Sequence, residues 1–397
     1  MAHSLDQSTI VGVLGAGTMG AGIAQVAAAA GHRVILADTF TGAVDRARAL
    51  HEKAMAREVE KSRLTRGDAD AVLARIEYHT LTGGDFIPLA TANLVIEAIV
   101  EDLEAKRAAF KRIEHVVEPE TVLATNTSSL SVTGIAGGCE KPERVIGLHF
   151  FNPAPILPLV EVVPGLLTDP MLTERARSLM TAWKKTPVVA SDTPGFIVNR
   201  VARPFYGEAL RIFEEGIADK ATIDWAMRDA GGFKMGPFEL MDLIGNDVNY
   251  AVSQSVFEAF GYDPRYRPFL TQKRLVEAGQ LGRKTGRGHF DYRAGAVNPE
   301  PTRDQSLAVE IFPRILAVLI NAAIDARFWQ VASRDDLDLA MTAGVNYPKG
   351  LLRWADDIGL AAVLERLDQL HLEYGDDRYR ASPLLRIMVR EGMRFYP

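Results

Sequence analysis

The feature that most constrains this chain is a glycine-rich turn between an apolar run and an Ala-rich helical stretch. Its sequence is Gly15-Ala16-Gly17-Thr18-Met19-Gly20, and a second apolar run at 34–37 follows the helical stretch. In this order, Gly15 allows a tight turn, Gly17 lets the backbone approach a pyrophosphate, and Gly20 lets the helix pack closely on the strands. The helix N-terminus offers unpaired N–H groups and a partial positive charge to phosphates. The context therefore predicts a dinucleotide-binding unit.

The acid at the end of the second apolar run indicates which dinucleotide binds. Asp38 lies 18 residues beyond Gly20 (38 minus 20), near the spacing expected for such a unit. A carboxylate there accepts hydrogen bonds from a ribose diol and repels a 2′-phosphate, which favours NAD over NADP. A tight turn without a ligand is the alternative, and the strand–helix–strand context on both sides disfavours it.

Length, charge and cysteine usage restrict the class of protein. A chain of 397 residues predicts two or three domains, and a net charge of −6 gives no basic field for nucleic acid. The single cysteine, Cys139, excludes an internal disulfide and fits a reducing compartment. Residues 1–6 lack the layout of a signal or transit peptide, and apolar runs such as 23–30 are too short to span a bilayer. We therefore expect a cytoplasmic protein without a membrane segment.

The pattern of apolar runs divides the chain into an α/β part and two helical parts. Strands alternate with helical stretches up to residue 190, which predicts a mostly parallel sheet with both faces covered. A charged helical excursion at 41–75 lies beside this sheet. Beyond the first two strands, further strands are predicted at 76–80, 94–99, 121–125, 144–150, 159–163 and 187–190. We place the domains at 1–190, 191–293 and 305–397, with a short strand at 289–292 and a polar linker at 294–302.

The two helical parts resemble each other at a constant offset of 114 residues (340 minus 226). Coincidence in Ala-rich helices is the alternative, but a constant offset without a gap favours duplication. The second part has no counterpart of the segment 193–200, and Pro313 stands opposite Asn199. We therefore expect the second part to support structure rather than chemistry. The matched positions are Asp224 and Asp338, Ala226 and Ala340, Met227 and Met341, Gly236 and Gly350, Asp242 and Asp356, Ile244 and Ile358, and Gly245 and Gly359.

Polar residues follow two of the predicted strands, where ligands bind in open α/β sheets. They are residues 126–129 and His149. Taken by itself, the segment 126–129 could be a turn or a helix cap, and His149 could be a histidine of the core. Glu161 lies inside the apolar run 159–163, and an unpaired buried carboxylate costs several kcal/mol. A Glu161 that accepts from one ring nitrogen of His149 would leave the other nitrogen as a base. The alternative is an exposed edge strand on which Glu161 points outward.

Five motifs occur in order and together resemble the L-3-hydroxyacyl-CoA dehydrogenase family. They are Gly15 to Gly20, Asn126-Thr127-Ser128-Ser129, His149-Phe150-Phe151-Asn152-Pro153, the block Asp192 to Arg200, and Lys284-Thr285-Gly286. The resemblance implies an α/β Rossmann-type NAD-binding domain followed by two related all-α domains. It also implies reversible NAD-dependent oxidation of (3S)-3-hydroxyacyl-CoA to 3-oxoacyl-CoA, in fatty-acid β-oxidation or related acyl-CoA catabolism.

The resemblance assigns roles to individual residues. His149 would be the general base, Glu161 its orienting partner, and Ser128 a hydrogen-bond partner of the reacting hydroxyl. Asn199 would help to place the substrate, and Lys61 and Lys106 match positions that contact CoA. The chain has Ala54 where the family has a serine that contacts CoA. The implied cofactor contacts are Gly15, Gly17, Thr18, Met19, Gly20, Asp38, Glu101, Lys106, Ser128, Asn152 and Lys284.

Two other functions compete with this interpretation. A dehydrogenase of the same architecture could act on a free hydroxy acid or sugar acid. Lys61 and Lys106 favour CoA over such a substrate, but a lysine on a helix is usually a solvated surface charge, so these matches alone leave the alternative open. A non-catalytic NAD-sensing protein is a second alternative, which the intact His149, Glu161, Ser128 and Asn199 disfavour. No metal cluster stands out in the sequence, and hydride transfer requires no metal.

Partners and substrate tail are only partly indicated by the sequence. Single-copy relatives are expected to dimerise through the helical domain, so we expect residues 306–397 to pack against 196–286 as an internal pseudo-dimer. The sequence allows further homo-oligomerisation of the full chain and does not indicate a surface for it. An acyl tail that ends in a carboxylate would need a basic residue, and the candidates are Arg200, Arg203 and Arg211.

Overall fold

The computed structural model describes residues 5, 6 and 8–397, which form two compact units with a boundary between Thr193 and Pro194. Residues 1–4 and 7, in the segment judged above to carry no targeting signal, lie outside the described residues. The expected three-part division, with boundaries near 190, 293 and 305, stays a prediction. Both helical parts belong to one compact unit, residues 194–397.

The first unit is built on one sheet, which within the described residues has eight strands in the order β3-β2-β1-β4-β5-β6-β7-β8. Neighbours pair in parallel except β6 and β7, which are antiparallel. Every strand predicted up to residue 190 is present, with ends shifted by at most two residues. The strands are β1 (Val11–Leu14), β2 (Val34–Asp38), β3 (Ile76–Thr80), β4 (Leu94–Glu97), β5 (Val122–Thr125), β6 (Val145–Phe150), β7 (Leu159–Pro164) and β8 (Thr186–Val189).

Helices connect most of these strands. The strand order reverses between β1 and β4, and this switch point is where open α/β sheets bind ligands. The predicted excursion at 41–75 consists of two helices, and Thr65 caps the second by accepting from the Asp68 N–H. The helices are α1 (Thr18–Ala29), α2 (Thr41–Glu60), α3 (Arg66–Ala74), α4 (Leu103–Glu114), α5 (Val132–Ala136) and α6 (Pro170–Ala182).

The second unit is helical. Its helices are α7 (Val198–Val201), α8 (Arg203–Glu214), α9 (Lys220–Asp229), α10 (Pro237–Ile244), α11 (Asn246–Ala259), α12 (Leu270–Glu277), α13 (Gln305–Phe328), α14 (Arg334–Val345), α15 (Leu351–Ile358), α16 (Leu360–Tyr374) and α17 (Pro383–Arg390). The strand predicted at 289–292 is wrong. The N–H groups of His289 and Phe290 donate to the buried carboxylate of Asp242, and only isolated bridges form, at Arg287.

The helices at 196–292, here called the first copy, recur at 306–397, the second copy. Helices α9 to α12 correspond in order and spacing to α14 to α17. Asp224 accepts from the first N–H groups of α10, and Asp338 does the same for α15. A Cβ at Gly236 or Gly350 would lie only 2.3 Å from the side chain of the capping aspartate. The same capping arrangement therefore occurs twice at the offset of 114.

Helix α13 joins the two copies because it packs against α7, α8 and α9 of the first copy. By length and composition alone it could span a membrane, which our sequence analysis did not anticipate for any stretch of the chain. However, 67% of its most apolar stretch is buried within the protein. The helix also carries Arg314 and Asp325, both buried and ion-paired with the first copy. These are the properties of a core helix.

Candidate active site

The three glycines of the turn each meet a different steric demand. Gly15 has a φ of +105°, and a Cβ there would lie 2.5 Å from the carbonyl oxygen of Ala98. A Cβ at Gly20 would lie 1.8 Å from the Gly15 carbonyl oxygen, so the close approach is to the turn itself more than to the strands. A Cβ at Gly17 would have nothing within 4 Å. The first and last glycines therefore shape the turn, and the middle one leaves open space for a ligand.

The N-terminus of α1 suits a pyrophosphate. Among the described residues no side chain caps it, and its first turn, which begins with the exposed Thr18 and the half-buried Met19, contains no acid. Asp38 holds the turn against the end of β2, because its carboxylate accepts from the N–H groups of Ala16 at 2.7 Å and Phe40 at 2.9 Å. The helix N–H groups and the dipole remain available for phosphate oxygens. The turn therefore fits NAD, and the expected contact of Asp38 with the ribose stays a prediction.

A buried ionic cluster lies beside this turn. Lys106 is only 1% exposed, and its Nζ lies 2.6 Å from Glu97 Oε1 and 3.2 Å from Glu101 Oε2. Our sequence analysis did not single out Glu97, although a carboxylate at the end of the apolar run 94–97 gave the same signal as Glu161. The burial makes Lys106 a support for Glu101, whereas Lys61, at the end of α2, is exposed.

Glu101 in turn holds the loop that carries Ser128. Its Oε1 accepts from Thr127 Oγ1 at 2.6 Å and from the N–H groups of Ser128 at 2.9 Å and Ser129 at 3.2 Å. Burial raises the pKa of Glu101, but Lys106 and these hydrogen bonds outweigh that effect and hold the pKa below its usual range. An ionised Glu101 therefore fixes the loop after β5.

The loop after β5 is also tied to the strand that carries the histidine. The side-chain oxygen of Asn126 accepts from the Phe150 N–H at 2.8 Å, at the end of β6. Asn152, two residues farther along, is exposed at the same edge of the sheet. Ser128 and Asn152 therefore follow adjacent strands.

His149 and Glu161 form the central pair of the site. They lie opposite each other on the antiparallel strands β6 and β7, and His149 Nδ1 is 2.7 Å from Glu161 Oε2. His149 is 6% exposed and Glu161 is fully buried. When Nδ1–H donates to the carboxylate, the lone pair of the neutral ring lies on Nε2. This tautomer can accept a proton while the buried carboxylate stabilises the resulting imidazolium.

Two expected site residues belong to the second unit. Asn199 is half-buried in the short helix α7, and Lys284 lies in a loop after α12 with its Nζ 2.6 Å from Asp247. Their expected contacts with substrate and cofactor stay predictions. Asp192, the first residue of the motif block at 192–200, caps α5 by accepting from the N–H groups of Val132 and Thr133, a role that the motif alone did not indicate.

Family models match both units. The model for "3-hydroxyacyl-CoA dehydrogenase, NAD binding domain" matches residues 10–193, and the model for the C-terminal domain matches 195–292 and 311–394. The chain belongs to the 3-hydroxyacyl-CoA dehydrogenase family. It is therefore an oxidoreductase with NAD as its cofactor, and two stretches match one C-terminal model, in agreement with the duplicated helices.

Relatives and a solved structure agree with this assignment. A 3-hydroxyadipyl-CoA dehydrogenase of Escherichia coli (strain K12) is 40% identical, over 95% of this chain and 96% of that protein. A 3-hydroxybutyryl-CoA dehydrogenase of Clostridioides difficile is 41% identical, over 70% of this chain and 98% of that protein. The crystal structure of a 3-hydroxybutyryl-CoA dehydrogenase from E. coli K12 has a TM-score of 0.89 and 38% identity, over 97% of this chain and 98% of the other. The fold is therefore shared along nearly the whole chain.

Proposed function

We propose that this protein catalyses the reversible oxidation of (3S)-3-hydroxyacyl-CoA to 3-oxoacyl-CoA, with His149 as the general base. Family membership supports the reaction class. The observation that carries the mechanism is the 2.7 Å contact between His149 Nδ1 and the fully buried Glu161. We place the reaction in fatty-acid β-oxidation or related acyl-CoA catabolism.

The proposed chemistry follows from the tautomer that Glu161 enforces. Oxidation of a secondary alcohol requires removal of the hydroxyl proton, and His149 Nε2 takes it. The Glu161 carboxylate keeps the ring oriented and stabilises the imidazolium, while Ser128 donates a hydrogen bond to the reacting oxygen. NAD⁺ bound at the turn supplies the hydride acceptor. In the reverse direction the same imidazolium returns the proton.

The substrates for which the relatives are named support a CoA thioester. The E. coli relative is named for 3-hydroxyadipyl-CoA, whereas the E. coli crystal structure and the C. difficile protein are named for 3-hydroxybutyryl-CoA. We propose a short 3-hydroxyacyl-CoA as substrate, with Asn199 positioning the acyl group and the exposed Lys61 near the CoA. A free hydroxy acid is the competing substrate class.

The decisive experiment measures reduction of acetoacetyl-CoA by NADH, with acetoacetate assayed in parallel. We expect His149→Ala to lower kcat by about 10²–10⁴ while NADH affinity, measured by fluorescence, is retained. Glu161→Gln should lower kcat by a smaller factor, because the shape is kept and only the charge is lost. The exposed His115 at the end of α4 provides a matched control, His115→Ala, with unchanged kinetics. Near-normal turnover in His149→Ala would remove His149 from the mechanism, and equal rates with acetoacetate would favour the free-acid alternative.

A further inference from the structure

The three arginines that the sequence offers for an acyl tail have different partners in the second unit. Arg200 lies 3.3 Å from Asp325, and Arg211 pairs with Glu215 and Asp376. Within the part of the chain that the structure describes, Arg203 forms no ion pair with a carboxylate. Of the three, Arg203 alone carries a charge that no acidic side chain neutralises.

Because Arg203 is buried, the absence of an acidic partner lowers the stability of the fold. Arg203 is 9% exposed, and burial lowers the pKa of its guanidinium. The Nη1 atom has two long contacts of 3.4 Å, with the Asn249 carbonyl and with Ser253 Oγ, and the guanidinium lies 4.9 Å from the Tyr206 ring. Nε has no hydrogen-bond partner among the described residues. A buried cation without a counter-ion is destabilising by several kcal/mol, so an anion would stabilise it.

A tyrosine of the second copy adds another donor at the same place. Tyr347 is 5% exposed, its ring packs 5.0 Å from that of Phe233, and its hydroxyl has no partner in the described chain. Burial raises the pKa of Tyr347 well above its usual value, and the nearby charge of Arg203 acts in the opposite direction. The side-chain amide nitrogen of Asn249 is also buried without a partner among those residues. Arg203 Nε and two neighbouring donors, the Tyr347 hydroxyl and the Asn249 amide, are therefore available to a carboxylate.

The position of Arg203 relates this site to the substrate. Asn199 lies in α7 and Arg203 begins α8, and Ala202 between them keeps helical angles. A spacing of four residues puts both on one helical face, about 6 Å apart along the axis. The terminal carboxyl of a six-carbon chain lies three bonds beyond the reacting carbon, about 4 Å away when extended. The dimensions therefore match a tail that runs from Asn199 toward Arg203.

We propose that Arg203, together with Tyr347, binds the terminal carboxylate of a 3-hydroxyacyl-CoA derived from a dicarboxylic acid. This proposal rests on the proposed function, because it assigns a specificity group to the same substrate class. It also gives the second copy a part in recognition, since Tyr347 comes from that copy.

The test compares three substrates in the full-length protein: 3-hydroxyadipyl-CoA, 3-hydroxyhexanoyl-CoA of the same length without the carboxylate, and 3-hydroxybutyryl-CoA. We expect Arg203→Met to lower kcat/KM for the adipyl substrate by about 10- to 100-fold. Values for the other two substrates should stay within about threefold. Tyr347→Phe should give a smaller selective loss of about 3- to 10-fold. Arg274→Met, which removes an exposed arginine of α12, serves as the matched control.

A binding measurement separates this proposal from the proposed function. Adipyl-CoA and hexanoyl-CoA lack the reacting hydroxyl, so their affinities by calorimetry report the tail site without catalysis. We expect the wild type to prefer adipyl-CoA and Arg203→Met to lose that preference. Equal losses for all three substrates, or no wild-type preference in binding, would overturn the role of Arg203. A preference for adipyl-CoA in a protein that oxidises no acyl-CoA would refute the proposed function and leave the tail site standing.

Discussion

The two helical copies share a scaffold and differ where chemistry is expected. In each copy an aspartate caps a helix, Asp224 for α10 and Asp338 for α15. In each copy a glycine leaves the space that this aspartate occupies, and the two arrangements are 114 residues apart. The first copy begins with a turn and the short helix α7, which carries Asn199. In the second copy the corresponding positions lie inside the continuous helix α13, with Pro313 where Asn199 would be. The packing elements thus occur in both copies, whereas the segment that is expected to contact the substrate occurs in one copy only.

Two buried charged residues of the second copy pair with the first copy. Arg314 lies 2.6 Å from Glu208 and 2.9 Å from Glu215, and Asp325 pairs with Arg200 and Arg265. Removing one partner from such a buried pair leaves an uncompensated charge. The second copy therefore packs against the first through buried ion pairs, and its role in place of a partner subunit stays a prediction.

Removal of the second copy is the strongest test of whether it covers the first copy as a partner subunit would. Deletion of residues 300–397 would expose the apolar face of the first copy that α13 covers, since α13 packs on α7, α8 and α9. We expect aggregation or a new dimer through that face, with NADH affinity retained because the NAD-binding turn lies in the first unit. Size-exclusion chromatography with light scattering measures the first effect, and NADH fluorescence the second. A truncated protein that stays monomeric and fully active would contradict the pseudo-dimer.

Removal of one charge tests whether the second copy supports the segment of the first copy that carries Asn199. Asp325→Asn would leave the buried Arg200 without its acid, next to Asn199. We expect the free energy of unfolding to fall by about 3 kcal/mol. The KM for acyl-CoA should rise by about 3- to 10-fold with a smaller change in kcat, because only positioning is affected. The matched control is Asp335→Asn, which breaks an exposed pair with Arg334 and should change neither quantity. Equal changes in both variants would show that Asp325 has no special role.

The strands of the first unit could be predicted because buried parallel strands are nearly continuous apolar runs. The contact between His149 and Glu161 was foreseen for a related reason, since a carboxylate within such a run must find a partner. The strand expected at 289–292 failed because its N–H groups are used by Asp242, which lies far away in the sequence. Hydrogen bonds between distant segments leave no local signal.

The burial of Lys106 could not be foreseen either. On a helix with an amphipathic pattern, a lysine is usually a surface charge, and only the meeting of Glu97 and Glu101 brings it inside. The same holds for Arg203, which differs from Arg200 and Arg211 only by its tertiary neighbours. Sequence indicates where charges are, and the fold decides which are neutralised.

The two capping aspartates can also be compared by the pH dependence of the free energy of unfolding. Burial raises the pKa of Asp224 to about 8, although two backbone N–H groups oppose the shift. Burial also raises the pKa of Asp338, where a hydrogen bond from the Tyr396 hydroxyl adds to the opposition. The cap of the first copy should therefore respond to pH more strongly than the cap of the second.

The direction of the effect follows from proton binding. Because the folded-state pKa of Asp224 lies above its unfolded value of about 4, the folded chain holds a proton that the unfolded chain has lost between about pH 4 and 8. Its stabilisation is complete below about pH 4 and is lost as the pH rises through about 8. Asp224→Asn cannot ionise, so its stability relative to the wild type should increase by about 1.4 kcal/mol per pH unit, or about 4 kcal/mol in all, between about pH 5 and 8 in urea unfolding. Asp338→Asn should show a smaller change, and equal slopes in both variants would mean that the two caps are electrostatically equivalent.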